Sequence, residues 1–513
     1  MAAIAHAFRR PSVARTLLLG GLIVLQLIAV IGFIVVLSAR WAAILTTLNV
    51  LSAAVAITVV VREENPSYKV SWIIAIMLFP LLGGLFYLAW GNKGIPKKER
   101  LQMRQHIKSR PQIFPRSNGG NIGLGSGNLG LDVQSAYIYH ITGFQAFDST
   151  TAKYCPLGEN QLRLMMQELP QAKKFILLEY FIIEQGVMWN SILDILLERV
   201  SAGVEVLVLY DDVGCMQTLP PGYDRHLQNM GIRCAVFNPM RASLKAAVNY
   251  RDHRKICVID GHTGFCGGIN LADEYINVKE KHGHWKDTAV MLKGPGVYSL
   301  TQIFLQNWSF STGETQEELS RFLIMPPNKE AKGWVQSYSD TPLDRWNVAE
   351  NVYLQIISRA NRYVYITTPY LILDNEMVTV LRCAAQSGID VRIITPHIAD
   401  KWYVHRVTRS YYRPLIAAGV KIYEYLPGFI HAKMFISDDQ VAVVGTANLD
   451  YRSLYLHYEC AVAFFEAPIV EEVKRDVLDT IEQSQLITRE ELDAESQWKR
   501  FVSSLLRLFA PFM

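Results

Sequence analysis

The pattern H-x-K-x4-D-x6-G-[GT]-x-N occurs twice in this chain of 513 residues. It appears at His253, Lys255, Asp260, Gly267, Gly268 and Asn270, and again at His431, Lys433, Asp438, Gly445, Thr446 and Asn448. Average residue usage produces one such match by accident in well below about one chain in 10^4, and two far less often. A repeat this strict calls for a repeated fold around it. The flanks supply one: KFILLEYFII, the stretch Trp189 to Val200, and VEVLVLY read as strand, helix and strand, as do RYVYITTPYLI, an apolar-periodic helix, and VRIITP. In each half a helix and a short strand follow, GIRCAVF or GVKIYEY. The expected fold class is α/β, with two similar halves related by a pseudo-twofold and sharing one cleft.

The spacing also has a chemical reading. In HRKICVID and HAKMFISD the histidine and lysine stand at i and i+2, so on a strand both point to one face. An imidazole beside an ammonium, with Asn270 or Asn448 returned by the following turn, makes a set of donors suited to a tetrahedral oxyanion such as phosphate. Lys255, Lys433, Asn270 and Asn448 are the expected phosphate-holding groups. Asp260 and Asp438 close their strands and are assigned to turn hydrogen bonding. A histidine nucleophile needs a partner that fixes its tautomer. Asp287 and Glu459 precede matching apolar strands, and the expectation is that Asp287 orients His253 and Glu459 orients His431. One histidine would attack phosphorus while the other protonates the leaving alkoxide and then activates the acceptor alcohol. The pattern lacks metal-ligand spacing, and neither a metal nor a cofactor is expected.

Half the residues are hydrophobic, and much of that excess lies in the first hundred positions. Thr16 to Ala39, Trp41 to Val61 and Val70 to Trp90 are each long enough to cross a bilayer. The cluster Lys93, Lys97, Lys98, Arg100, Arg104, Lys108 and Arg110 places the bulk of the chain on the cytoplasmic side. Arg9, Arg10 and Arg15 place the N-terminus there too, which conflicts with an odd number of crossings. A net charge of +4 without a basic stripe argues against a nucleic-acid surface. The expected organisation is an anchor of two to three helices over 1–91, a basic Gly-rich linker over 92–132, halves over 133–310 and 311–497, and a candidate amphipathic helix over 498–513. A G-x-G-x-x-G at Gly125, Gly127 and Gly130 is read as linker, since no strand pattern precedes it. The seven cysteines, never in a C-x-x-C pair, are read as small core residues of a part facing a reducing compartment.

These two motifs resemble the HKD motifs of the phospholipase D superfamily, over nearly all of the chain beyond the linker. The segments HRKICVIDGHTGFCGGINLADEYIN, NLDYRSLYLHYE and ENPSYKVSWIIAIMLFPLLGGLFYLAWG look like bacterial cardiolipin synthases. That resemblance implies transfer of a phosphatidyl group from one phosphatidylglycerol to another through a phosphohistidine, at the bacterial inner membrane. It also implies His253 as nucleophile and His431 as acid and base. The same site chemistry would serve a phospholipase D hydrolase, another phospholipid synthase or, more remotely, a nuclease. Gly268 and Thr446 replace a Ser common in the superfamily, and His457 stands where Asn is expected. Glu179, Tyr180, Pro369 and Tyr370 are read as structural.

Overall fold

The computed structural model describes residues 21, 24–32, 42–91, 124–240, 249–327, 330–343 and 346–512. They fall into two compact units, a small N-terminal one and a large one that carries both motifs.

The N-terminal unit corrects one sequence expectation. α1 (Ala42–Val61) is a helix of 20 residues without a charge. The third apolar run does not form a single helix but splits into α2 (Pro66–Leu78) and α3 (Pro80–Phe86), followed by a π turn over Tyr87–Gly91. The break lies where Pro80 removes a backbone donor and drives Phe79 out of the helical region, to φ −131° and ψ 73°. The chain then doubles back. Trp72 and Tyr87 meet ring to ring at 5.3 Å, Tyr68 Oη donates to the Gly91 carbonyl at 3.3 Å, and a Cβ on Gly83 would overlap the Ala75 carbonyl. Ser52, near the middle of α1, donates to the carbonyl of Pro80 at the hairpin tip at 2.7 Å. Among the described residues no helix is long and apolar enough to cross a membrane. The expected crossing Thr16 to Ala39 lies largely outside those residues, as does most of the linker.

In the large unit, α4 (Leu129–Thr142) starts within the expected linker, capped by the Asn128 side chain, so Gly130 lies in a helix. The first sheet has the order β1-β8-β6-β5-β2-β3-β4. Its strands are β1 (Thr151–Cys155), β2 (Phe175–Tyr180), β3 (Glu205–Asp211), β4 (Arg233–Phe237), β5 (Lys255–Ile259), β6 (Thr263–Gly267) and β8 (Ala289–Lys293), with β7 (His284–Lys286) outside it. The second has the order β17-β12-β11-β10-β14-β15-β16-β9. Its strands are β9 (Trp334–Asp340), β10 (Tyr363–Thr367), β11 (Asp390–Pro396), β12 (Lys421–Tyr425), β14 (Met434–Ser437), β15 (Val441–Gly445), β16 (Glu459–Phe465) and β17 (Ser484–Leu486), with β13 (Gly428–Ile430) outside. Read in opposite directions the two orders correspond strand for strand, with β17 added at one edge, which is the pseudo-twofold that the sequence repeat implies.

Burial explains these strands. Leu177, Leu178, Val206, Leu207 and Val208 are fully buried, as expected for near-continuous apolar strands covered on both faces. α5 (Val297–Thr312) is buried along most of its length and packs on strands of both sheets. The halves are not sequential blocks: α4, at the start of the expected first half, packs on β9 and on α6 (Val348–Arg359), and Arg359 donates to the Gly130 carbonyl at 2.6 Å. Six cysteines are buried and unpaired, but Cys383 is exposed, against the expectation of a core role.

Two short parallel pairings join the halves. β13 pairs with β7, matching Ile430 with Lys286, and a single bridge matches Asp252 with Tyr458. These are equivalent positions: each lies one residue before a motif histidine and one before a carboxylate.

Candidate active site

Both motif histidines lie just ahead of a strand rather than on it, because β5 begins at Lys255 and β14 at Met434. Their backbones are fixed by the pairings between the halves: His253 N donates to the Tyr458 carbonyl at 2.9 Å, and His431 N to the Lys286 carbonyl at 2.7 Å. That geometry overturns the expected partnering. His253 Nδ1 meets Glu459, with both carboxylate oxygens at 3.0 Å, and His431 Nδ1 meets Asp287 Oδ2 at 2.6 Å. Each carboxylate serves the histidine of the other half. Local sequence spacing cannot reveal this, because the strands that bring the groups together pair across the pseudo-twofold. With the Nδ1 proton given to a carboxylate, Nε2 holds the free lone pair.

Burial sets the charge states. It pushes the His253 imidazole down to about 3 and the His431 imidazole down to about 4, and the neighbouring lysines push the same way while the carboxylates oppose. Burial alone would raise Glu459, but contact with His253 and His457 holds its carboxyl well below the usual range. At neutral pH each station is therefore a neutral imidazole, and that of His253 rests on an ionised Glu459. Burial likewise lowers Lys255 to about 7 and Lys433 to about 8, against the attraction of Glu459 and Asp287.

The other motif residues take varied places. Lys255 Nζ donates to the His253 carbonyl at 2.6 Å, and Lys433 Nζ to that of His431, so both ammonium groups sit behind the histidines. Asn270 lines the cleft with its amide engaged, accepting from Ile182 N at 3.0 Å and donating to Tyr275 Oη at 2.6 Å. Asn448 also lines it. Asp260, at φ 52°, accepts from the backbone N–H groups of residues 173–175, and Asp438, at φ 55°, from those of residues 361–363. Each ties the end of a motif strand to the start of β2 or β10, away from the histidines. Gly268 must be glycine, since a Cβ there would overlap the Asp287 carboxylate, whereas the equivalent Thr446 donates its hydroxyl to Glu459.

His253 and His431 open into one cavity of about 420 Å³, walled by Phe181, Tyr275, Trp285, Tyr370, Phe429 and His457 among others. Sequence reasoning passed over most of these walls, although Trp285 and His457 stand at equivalent offsets, two residues before Asp287 and Glu459. Trp285 lies 5.5 Å from the His431 ring, and His457 lies 5.6 Å from the His253 ring. His457 makes no hydrogen bond through its ring nitrogens, Nδ1 being 3.8 Å from Glu459. Donor atoms of His253, His457 and Glu459 lie within 4.8 Å of one another, a grouping that could hold a metal ion and that the sequence spacing did not suggest. Glu179 pairs with the fully buried Arg254 at 3.7 Å and accepts from Asn307 at 2.8 Å, and Tyr370 donates to Asp400 at 2.6 Å.

Comparison with known proteins agrees with this geometry. Residues 165–308 and 353–479 match the family described as "Cardiolipin synthase, PLD-like domain", and residues 41–92 match the phospholipase D-nuclease N-terminal family. An uncharacterized protein of Streptococcus mutans is 43% identical, with 86% of this chain and 96% of that protein covered. A cardiolipin synthase of Geobacillus is 32% identical over 96% of this chain and 99% of its own, and one of Alkalihalophilus pseudofirmus is 34% identical over 90% and 92%. The crystal structure of a phosphatidylserine synthase of Haemophilus influenzae shares the fold, with a TM-score of 0.57 at 14% identity, covering 74% of this chain and 98% of that one. With paired motifs, a duplicated fold and full-length relatives in agreement, the chain belongs to the cardiolipin synthase family of phospholipase D-like enzymes.

Proposed function

We propose that this enzyme transfers a phosphatidyl group from one phosphatidylglycerol to a second, giving cardiolipin and glycerol. The observation that carries the reading is the pair of buried histidines on one cleft, each held through Nδ1 by a carboxylate of the opposite half, in a chain of this family. His253 Nε2 attacks phosphorus, and the bond to the glycerol oxygen breaks. His431 supplies the proton that the departing alkoxide takes up. The second phosphatidylglycerol then gives its hydroxyl proton to His431 as its oxygen attacks the phosphohistidine and releases His253. His431 is neutral in the empty site, so the acid form is created by the substrate: a phosphodiester anion in the cleft favours its protonation. Lys255 and Lys433 supply positive potential from behind each histidine, and Asp260 and Asp438 hold strand ends.

The enzyme would work at the bacterial inner membrane, with its catalytic unit cytoplasmic. The hairpin of α2 and α3 supports a simple anchor: it returns to the side from which it left, its tip only level with Ser52. An anchor with an even number of crossings would set the arginines before it and the basic cluster after it on one side.

The test is incubation of purified enzyme with labelled phosphatidylglycerol in mixed micelles without divalent metal. Cardiolipin and free glycerol are the expected products. Phosphatidic acid alone would replace the proposal with a hydrolase, and turnover only after addition of another alcohol or a CDP-lipid would replace it with a different synthase.

A further inference from the structure

The last long helix, α7 (Gln497–Arg507), faces the wrong way for a protein surrounded by water. Ser503 is its buried residue, while Trp498 is 71% exposed, Phe501 57% and Leu505 48%, and Phe509 continues the same stripe at 51%. A helix laid on a soluble protein turns its apolar stripe inward. Here the inner side carries Ser503 and the half-buried Val502 and Leu506, while Ser496 caps the N-terminus and the Arg507 guanidinium stacks on Tyr411 at 4.0 Å.

The neighbouring element extends the stripe. α7 packs against the helix Trp402–Ser410, whose first two residues, Trp402 and Tyr403, are 66% and 38% exposed. Lys401 and Val404, on either side of that pair, line the cleft that holds His253 and His431. The exposed aromatic surface therefore runs up to the mouth of the active site. Lys499, Arg500 and Arg507 accompany it on α7.

We propose that α7 and the start of the helix Trp402–Ser410 form a face that lies in the headgroup region of an anionic bilayer, so that phospholipid headgroups pass from the membrane past Lys401 into the cleft. Apolar and aromatic side chains beside cations are the composition that seats a helix in a lipid interface. Continuity with the cleft gives that seating a use, because the proposed substrates have their acyl chains in the same bilayer. The inference rests on the phospholipid reading above.

The test uses the full chain with Cys383→Ser, reconstituted into vesicles of phosphatidylcholine and phosphatidylglycerol and spin-labelled singly at Phe501→Cys, Leu505→Cys or, as an aqueous reference, Arg475→Cys. The labels at 501 and 505 should be reached by oxygen and shielded from a water-soluble nickel complex, unlike that at 475. In parallel, the variant Trp498→Ser/Phe501→Ser/Leu505→Ser should raise the KM for phosphatidylglycerol in vesicles about tenfold at unchanged kcat. It should leave activity on a short-chain, water-soluble phosphatidylglycerol intact. Labels open to the nickel complex, with wild-type vesicle kinetics in the triple variant, would overturn the proposal. So would spin–spin broadening that vanishes on dilution of labelled by unlabelled protein, which would assign the face to a second copy. If even the wild-type chain made no product from phosphatidylglycerol, the catalytic reading would fail while label depth still decided the docking face.

Discussion

The two histidine stations share one template and differ in everything around it. His253 stands between Phe181, 5.1 Å away ring to ring, and His457, and its carboxylate is the longer Glu459, braced by the Thr446 hydroxyl. His431 is enclosed by Trp285, Tyr275 and Phe429 at 5.5, 5.7 and 5.9 Å, and its carboxylate is the shorter Asp287, packed against Gly268. The shared part holds each imidazole neutral with Nε2 free. The unshared part lets two chemically equal groups take unequal roles. Burial pushes both imidazoles down alike, so the unequal roles must come from these different walls and carboxylates.

The largest effect should come from removing a station. His253→Ala and His431→Ala should each lower kcat by at least about 10^3-fold with the fold retained by circular dichroism. Substantial turnover in both would dissolve the comparison. Next come the carboxylates. Glu459→Gln and Asp287→Asn should each cost about 10^3-fold or more in kcat. Because the partners are crossed, Glu459→Gln should match His253→Ala in lowering the yield of acid-quenched phosphatidyl-enzyme, and Asp287→Asn should match His431→Ala in retaining it, as rapid-quench measurements would show. The reverse match would restore the uncrossed pairing.

The lysines give a pH signature. As pH rises through about 7 and then 8, Lys255 and Lys433 lose charge and a phosphodiester anion is held less well, so kcat/KM should fall on that side. On the acid side it should hold until the nucleophile, His253, protonates near 3. Lys255→Arg, which stays charged, should shift the alkaline limb upward.

Stability should respond in the opposite sense. Lys255 titrates near 7 when folded, against about 10.4 when unfolded, so the unfolded chain binds the proton more tightly. This group's contribution to stability therefore rises between those values and is least favourable below 7. Lys255→Met should raise the melting temperature at pH 6 while abolishing activity. The smallest effect is expected from His457→Asn: less than about tenfold in kcat, with a higher zinc concentration needed for inhibition because one donor of the group with His253 and Glu459 is gone.

Much of the fold was legible because strand and helix periods are local. KFILLEYFII and RYVYITTPYLI contain β2 and β10, VEVLVLY covers β3 but for its last residue, and the stretch Trp189 to Val200 lies within the helix Val187–Ser201. What escaped was non-local. The histidine–carboxylate partners depend on the pairing of β13 with β7 and of Asp252 with Tyr458, which no spacing within one half encodes. The attachment of α4 to the second sheet is of the same kind. The hairpin was missed for a different reason: hydropathy counts Pro80 as one residue in an apolar run, whereas sterically it ends the helix. The lysines were misplaced because the histidines precede their strands, so the strand period does not set their faces, and each ammonium turns back to a histidine carbonyl behind the site.

The most direct test of the division between stations is to mix enzyme with phosphatidylglycerol labelled in the phosphatidyl group, quench in acid and map the label. Wild type and His431→Ala should carry it on His253, and His253→Ala should carry none. Label retained in His253→Ala, on His431, would contradict the assignment.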